Sequence, residues 1–334
     1  MALTTVGDLA LSYIFRSRNS QVKADITRLT EEVATGQVAS LADRLNGNFS
    51  TISSVEHSLT QLAAYESSIT EASGFASAVQ DSLEAVRETA GTLSADLLTF
   101  SNSENGTISS ALGTASMDAF DLAISRLNMQ FGGRSLFAGV ATNSSALADA
   151  NTILEELETA VSGETTATGV ASVIDAWFAS PAGFETIAYS GSAKALSPMS
   201  IGVGQTVSLD VTASDTAVRE TLKGLAMAVL IDRLPLSNSP AEQMTMAGLA
   251  GQTLLNSNVS MLEVQAKVGV VQESLETAST RNTSETAAME LALSELISVD
   301  QYDAAAALTQ AETQLELLYA LTARTASLKL SDYI

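Results

Sequence analysis

Few residues in this sequence are of a type and spacing that could do chemistry. Acid–base work near neutral pH falls most often to histidine. The one histidine, His57, sits between Val55 and Leu59 of a three-four apolar pattern, a position that turns it toward solvent. Cysteine is absent, which removes thiol nucleophiles, thiolate metal sites and disulfides. The acidic run Glu155, Glu156 and Glu158 lacks the alternating Asp/Asn ligands and turn glycine of a calcium loop, and reads as a solvated helix face. The segment from Ile201 to Gln205 has too few glycines, and no lysine, to cradle a phosphate, and reads as a turn. Trp177 and Phe178, an adjacent aromatic pair, read as the core of a small domain rather than a binding anchor. No catalytic, cofactor-binding or metal-ligating residue is expected, and an enzyme would need a convergent polar site that this distribution does not offer.

What the sequence does carry is apolar seams. Near the amino terminus Leu11, Phe15, Val22, Ile26, Leu29 and Val33 recur in steps of four, three and four, with Arg18 at the remaining seam position. That spacing is an eleven-residue repeat, about 3.67 residues per turn, which gives a nearly straight stripe rather than a strong left-handed supercoil. Gly36 is placed to stop this helix. A longer seam runs from Ile52 through Leu62, Ile69, Val79, Leu83 and Leu97 to Phe100, with a local stammer at Ala76 and Val79, and predicts one helix of roughly 50 residues, about 75 Å. After a polar turn at 101–106 a helix is expected from about Ile108 to Phe131, ended by Gly132 and Gly133, and then a strand-like segment, Arg134 to Val140. From Ser239 to the end the chain reads as helical again, through Met261, Val264, Val268, Val271 and Leu275 to Leu308, Leu315 and Leu318. Isolated amphipathic helices draw most of their stability from packing, so terminal stripes of this kind need partners: the other end of the chain and neighbouring subunits.

Between 141 and 240 the pattern changes. Helical stretches at about Ala148 to Val161 and Val170 to Phe178 alternate with Ser, Thr and Gly, and two alternating runs, Met199/Ile201/Val203 and Val207/Leu209/Val211, flank Gly204 and Gln205 as a hairpin would. A helix from Asp215 to Leu234 follows. The expected plan is mainly α: a long antiparallel helical rod with a small inserted α+β domain. It divides into an amino-terminal helix and loop at 1–45, ordered on assembly, rod segments at 46–140 and 241–299 around the insert at 141–240, and a carboxyl-terminal assembly helix at 300–334.

Hydrophobic residues make up 46% of the chain but aromatic ones only 5%, which suits helix seams better than a β-sandwich. The 16 basic and 38 acidic residues leave a net charge of −22, which disfavours nucleic acid and anionic membranes as partners. The amino terminus, MALTTVGDLALSYIFRSRNS, has no basic n-region before its interrupted apolar stretch and is not expected to be a cleaved signal peptide. No apolar run of about 18 residues predicts a membrane span.

At three places these residues resemble the flagellin family, and within it the hook-associated branch that joins hook to filament. ITRLTEEVATGQVASLAD, Ile26 to Asp43, is similar to the family's terminal helix and following loop at Thr35, Gly36 and Asp43, though Gln37 replaces a base and Leu41 stands where a proline is common. FGGRSLFAG, Phe131 to Gly139, resembles the turn that leaves the helical core for the variable domain, with Gly132, Gly133, Phe137 and Gly139 carrying it. At the carboxyl end Ser327, Leu328, Leu330, Tyr333 and Ile334 match the branch's closing motif, with Lys329 in place of a serine. The resemblance covers roughly two-thirds of the chain. It implies an extracellular, non-enzymatic subunit of the bacterial flagellum, exported unfolded by the type III route and escorted by a chaperone on the carboxyl-terminal helix. Its implied partners are the hook-side junction protein, flagellin and further copies of itself, through an interface that takes in Leu11, Phe15, Val22, Ile26, Leu29, Val33, Leu308, Leu315, Leu318, Leu328 and Leu330. Flagellin, the bulk filament subunit, would share every seam; the short insert and the LKLSDYI ending favour the junction branch.

Overall fold

The computed structural model describes residues 6–103, 110–233 and 239–331, with side chains over 10–103, 110–233 and 239–325. The fold is mainly α, with long helices and two small antiparallel hairpins. In chain order the elements are α1 (Val6–Thr35), α2 (Leu41–Arg44), α3 (Ser50–Ser101), α4 (Ser110–Leu127), β1 (Gln130–Phe131), β2 (Arg134–Ser135), α5 (Ala150–Val161) and α6 (Ala167–Ala179). A π-helix (Pro181–Ala188), β3 (Met199–Gly202), β4 (Gln205–Val207), α7 (Thr216–Arg233), α8 (Pro240–Ile297) and α9 (Gln301–Ser331) complete it. Two compact units divide these elements: Met1–Leu62 with Ser284–Ile334, and Ala63–Thr283.

In the terminal unit α1 and α9 run antiparallel. Phe15 shares a cleft with Thr322 and Thr325 at one end of the pair, while Gln301 Nε2 donates to the Val33 carbonyl at the other, 3.3 Å. Gly36 ends α1 at φ +70°, a conformation side-chain-bearing residues seldom adopt. The freed chain then pairs with the break between α8 and α9: Val38 N–H donates to Ile297 O at 2.9 Å and Val299 N–H to Gly36 O at 3.0 Å. Glu32, buried in this unit, accepts on both carboxylate oxygens from Arg28 Nη1 at 3.0 Å and on Oε1 from Ala39 N–H at 3.3 Å, so the turn after α1 is held from within.

The core of the central unit lies on the seam predicted for α3, where Ile69, Ala76, Val79, Leu83, Val86, Ala90 and Leu97 are buried. The α8 seam Met261, Val264, Val268 and Leu275 is buried in the same cluster. Polar bonds set the antiparallel register of these two helices: Ser94 Oγ to Gly251 O at 2.7 Å, Gln265 Nε2 to Glu84 Oε2 at 2.6 Å, and Asn282 Nδ2 to Glu66 Oε2 at 2.7 Å. Bonds from Arg87 and then Gln265 hold the Glu84 carboxyl below its ordinary pKa. α4, α5, α6 and α7 pack on one another over Phe120, Leu127, Leu154, Leu157, Ile174 and Leu222.

Four sequence expectations change in detail. α4 closes at Leu127, and Phe131 stands in β1 rather than in the helix. β2 stops at Ser135, because the chain from Leu136 turns inward and buries Leu136, Phe137 and Ala138 instead of continuing the ladder. β4 stops at Val207, although Leu209 and Val211 remain buried as the alternation implies. The carboxyl-terminal helix is broken at 298–300, where the backbone bonds go to the segment after α1. Of the expected turn at 101–106, Ser101 is the last residue of α3 and residues 104–106 lie outside the described residues.

Candidate assembly surface

The π-helix and its neighbours show what the aromatic residues do. Trp177 meets Phe178 edge-on at 5.1 Å, Phe178 stacks on Phe184 at 5.4 Å, and Phe184 stacks on Tyr189 at 6.5 Å. Thr186 Oγ1 donates to Pro181 O at 2.7 Å, which supports the wider turn. Phe178 and Phe184 are buried, so the cluster is core, with Trp177 half-buried at its rim. His57 is exposed. Of the three glutamates Glu158 pairs with Arg233 at 3.2 Å, and among the described residues no group of three His, Asp or Glu could hold a metal ion.

A cleft of about 610 Å³ in the central unit is lined by Asp210, Asp215, Glu263 and Lys267 over Val211, Val264 and Val268. Burial raises the Asp215 pKa, against the Thr212 N–H it accepts at 3.1 Å and the positive charges of Lys267 and Arg219. The hydroxyl residues Ser208, Thr216 and Ser260 complete its polar lining.

The turn at Phe131 to Gly139 is built as a two-residue hairpin. Gly132 and Gly133, at φ +57° and +77°, give the primed turn that matches strand twist, and Gln130 and Phe131 pair with Ser135 and Arg134. Phe137 is fully buried, and its carbonyl accepts from Ala213 N–H at 2.9 Å. Gly139, at φ +60°, lies so close to the carbonyls of Ser192 and Lys194 that a Cβ there would strike both.

The described residues of the α1/α9 pair are mostly exposed. Of the residues singled out on α1, Val22 and Leu29 are buried, Phe15, Ile26 and Val33 are half-buried, and Leu11 is exposed; Leu308, Leu315 and Leu318 on α9 are half-buried. Leu328 and Leu330 lie outside the described side chains. Around this narrow seam stand apolar side chains that the single-stripe reading missed: Tyr13 (75% exposed), Ile14, Leu317 (59%), Tyr319 and Leu321. Lys23 lies over the Tyr319 ring, 5.8 Å from its centre. One groove of the pair, about 570 Å³, is lined by Phe15, Arg16, Asn19, Lys23, Thr322 and Thr325 with no carboxylate; another, about 340 Å³, by Val22, Leu317, Leu318 and Leu321. The central unit has its own uncovered stripe. On α8, Leu255, Val259, Leu262 and Val270 are exposed at helical spacing, opposite the buried face through Leu254, Met261 and Val268. A second apolar face on one helix is invisible to a periodicity search that assigns one seam per helix.

No protein-family model matches the chain, and no curated protein sequence does. Among solved structures the fold matches a Vibrio parahaemolyticus protein provisionally named as a flagellar hook-associated protein, with a TM-score of 0.53 over 73% of this chain and 95% of that one, at 14% identity. That likeness is one of fold. Among the described residues no helix is long and apolar enough to cross a membrane.

Proposed function

We propose that this chain is a non-enzymatic structural subunit of the bacterial flagellum that joins the hook to the filament. The observation that carries the reading is the α1/α9 pair, which leaves Leu11, Tyr13, Ile14, Leu317, Tyr319 and Leu321 exposed on helices that bury little between themselves. Helices of this kind are stabilised by what packs on them, and contiguous exposed apolar surface marks a site of association. The fold likeness to a structure named for a hook-associated protein supports a flagellar setting. In this reading Leu11, Phe15, Val22, Ile26, Leu29 and Val33 with Leu308, Leu315, Leu318, Leu328 and Leu330 form the assembly seam, and Gly132, Gly133, Phe137 and Gly139 lead the chain from the helical core into the outer segment. The partners are the hook-side junction protein below, flagellin above and neighbouring copies, and an export chaperone holds the carboxyl-terminal helix before secretion without a cleaved signal.

The test is genetic. Deletion of the gene from its own bacterium is expected to leave hooks in place, release unpolymerised flagellin into the medium and abolish swimming. The full chain restores motility; a chain ending at Leu315 does not. Normal filaments in the deletion strain would remove the junction role. Loss of the filament protein itself would identify the chain as flagellin.

A further inference from the structure

β4 ends at Val207, but the alternation of burial continues beyond it. Leu209 and Val211 are buried and Asp210 between them is exposed, the pattern of a strand lying on a core. The β3–β4 register pairs Met199 with Val207, so one further step of the ladder would set Pro198 against Ser208, and proline has no N–H to donate. The backbone N–H and C=O groups of residues 208–211 find no hydrogen-bond partner among the described residues. A row of open main-chain groups that prolongs a ladder is a template for another strand. The same residues line the cleft of about 610 Å³, to which α8 contributes Glu263, Val264, Lys267 and Val268. At about 3.3 Å per residue the open edge is roughly 13 Å long, the reach of a short peptide strand. Three carboxylates of the cleft, Asp210, Asp215 and Glu263, stand against one ammonium, Lys267. Asp210 and Glu263 are exposed, and neither forms an ion pair within 4 Å among the described residues.

We propose that the edge at residues 208–211 docks an extended, basic segment of a partner protein by strand addition. The partner's apolar side chains turn toward Val264 and Val268, and lysine or arginine at its alternate positions meets Asp210 and Glu263. Main-chain bonds to the open edge supply affinity for any extended chain, and the alternate side chains select a basic one. Every residue of this contact belongs to the central unit, so the proposal stands apart from the junction reading and needs neither terminal helix.

The test titrates the full chain into a short fluorescein-labelled peptide of alternating lysine and valine and reads anisotropy. The peptide is expected to bind, and a peptide of alternating glutamate and valine is not. Only alternate N–H groups of an added strand face the edge it joins. Of two N-methylated peptides, one blocked at the lysine amides and one at the valine amides, one is therefore expected to lose about tenfold or more in affinity while the other keeps it. Asp210→Lys with Glu263→Lys, both exposed and checked for helicity by circular dichroism, should weaken the lysine peptide about tenfold or more. Hydrogen exchange with the peptide bound should slow at the amides of residues 208–211. No binding at about 1 mM peptide, equal binding of both N-methylated peptides, or unchanged affinity in the charge-reversed form would each overturn the proposal. So would protection confined to another segment. Tighter binding of the glutamate peptide by the parent chain would also overturn it and make the occupant acidic.

Discussion

Replacing Phe184 with alanine tests whether the aromatic cluster beside the π-helix is a core or a surface feature. The ring is fully buried and has three aromatic neighbours, Phe178 at 5.4 Å, Trp177 at 6.4 Å and Tyr189 at 6.5 Å. Truncating a buried phenylalanine to alanine costs about 3–5 kcal/mol through lost transfer energy and the cavity left behind. Each well-placed aromatic pair is worth a further 0.5–1.5 kcal/mol or so beyond area. Three such pairs place Phe184→Ala at the upper end, about 4–5 kcal/mol, a large part of the roughly 5–15 kcal/mol that holds a typical domain. Phe184→Leu, which refills most of the volume without the ring, is expected to cost about 1–2 kcal/mol. Trp177 is the single tryptophan of the chain and touches this cluster edge-on, so its fluorescence in urea reports the transition locally. The reasoning fails if Phe184→Ala loses less than about 1.5 kcal/mol, or if the alanine and leucine variants are equally stable.

Further outcomes follow from the same geometry. Leu29→Ala should cost about 2–3 kcal/mol, the low end of the range for a buried leucine because the thin α1/α9 seam can close over the gap. Hydrogen exchange should quicken on α1 and α9 and leave α4 and α7 unchanged; equal acceleration everywhere would contradict this. Gly139→Ala, with a positive φ and two carbonyls in the way, should lose about 2 kcal/mol or more, and Gly204→Ala, at φ +66° with open space around it, only about 1 kcal/mol, as read from thermal unfolding. Asp215 has a folded-state pKa raised by burial, so the folded chain binds its proton more tightly than the unfolded chain does. Its contribution to stability therefore falls as pH rises from the ordinary carboxyl value of about 3.9 through the raised one, and stays low above it. Asp215→Asn, which keeps an acceptor for Thr212 N–H, should match or exceed the parent in stability at pH 7 and show no such gain at pH 3; a loss confined to pH 7 would reverse the sign argued here.

Much of the helical frame could be read from spacing alone. Ile69, Val79, Leu83 and Leu97 are buried on α3 because a three-four repeat keeps one face toward a partner over many turns, and a glycine after Thr35 ends α1 because only glycine takes positive φ without strain. The short insert was harder to read. A π-helix has no apolar period of its own, and Pro181 to Ala188 reads locally as loop or helix. Leu209 and Val211 alternate like strand residues yet have no ladder partner, since burial alone sustains the pattern. On the α1/α9 pair the burial of Val22 and Leu29 was legible, whereas the exposed apolar side chains of Tyr13, Ile14, Leu317, Tyr319 and Leu321 were not. Periodicity finds the stripe a helix turns toward its partner within the chain, and apolar side chains outside that stripe fall between its beats.

The backbone bonds that join the segment after α1 to the break before α9 have a consequence in time. Gly36 and Val299 are 263 residues apart in sequence, and Val38 and Ile297 are 259 apart. A ribosome adding about 5–20 residues per second needs roughly 13–50 s to cover that distance. Through that interval α1 is a nascent segment with an apolar face and no mate, and any cellular factor that recognises such a face meets it first. The terminal pair is thus the last part of this fold that synthesis permits to close.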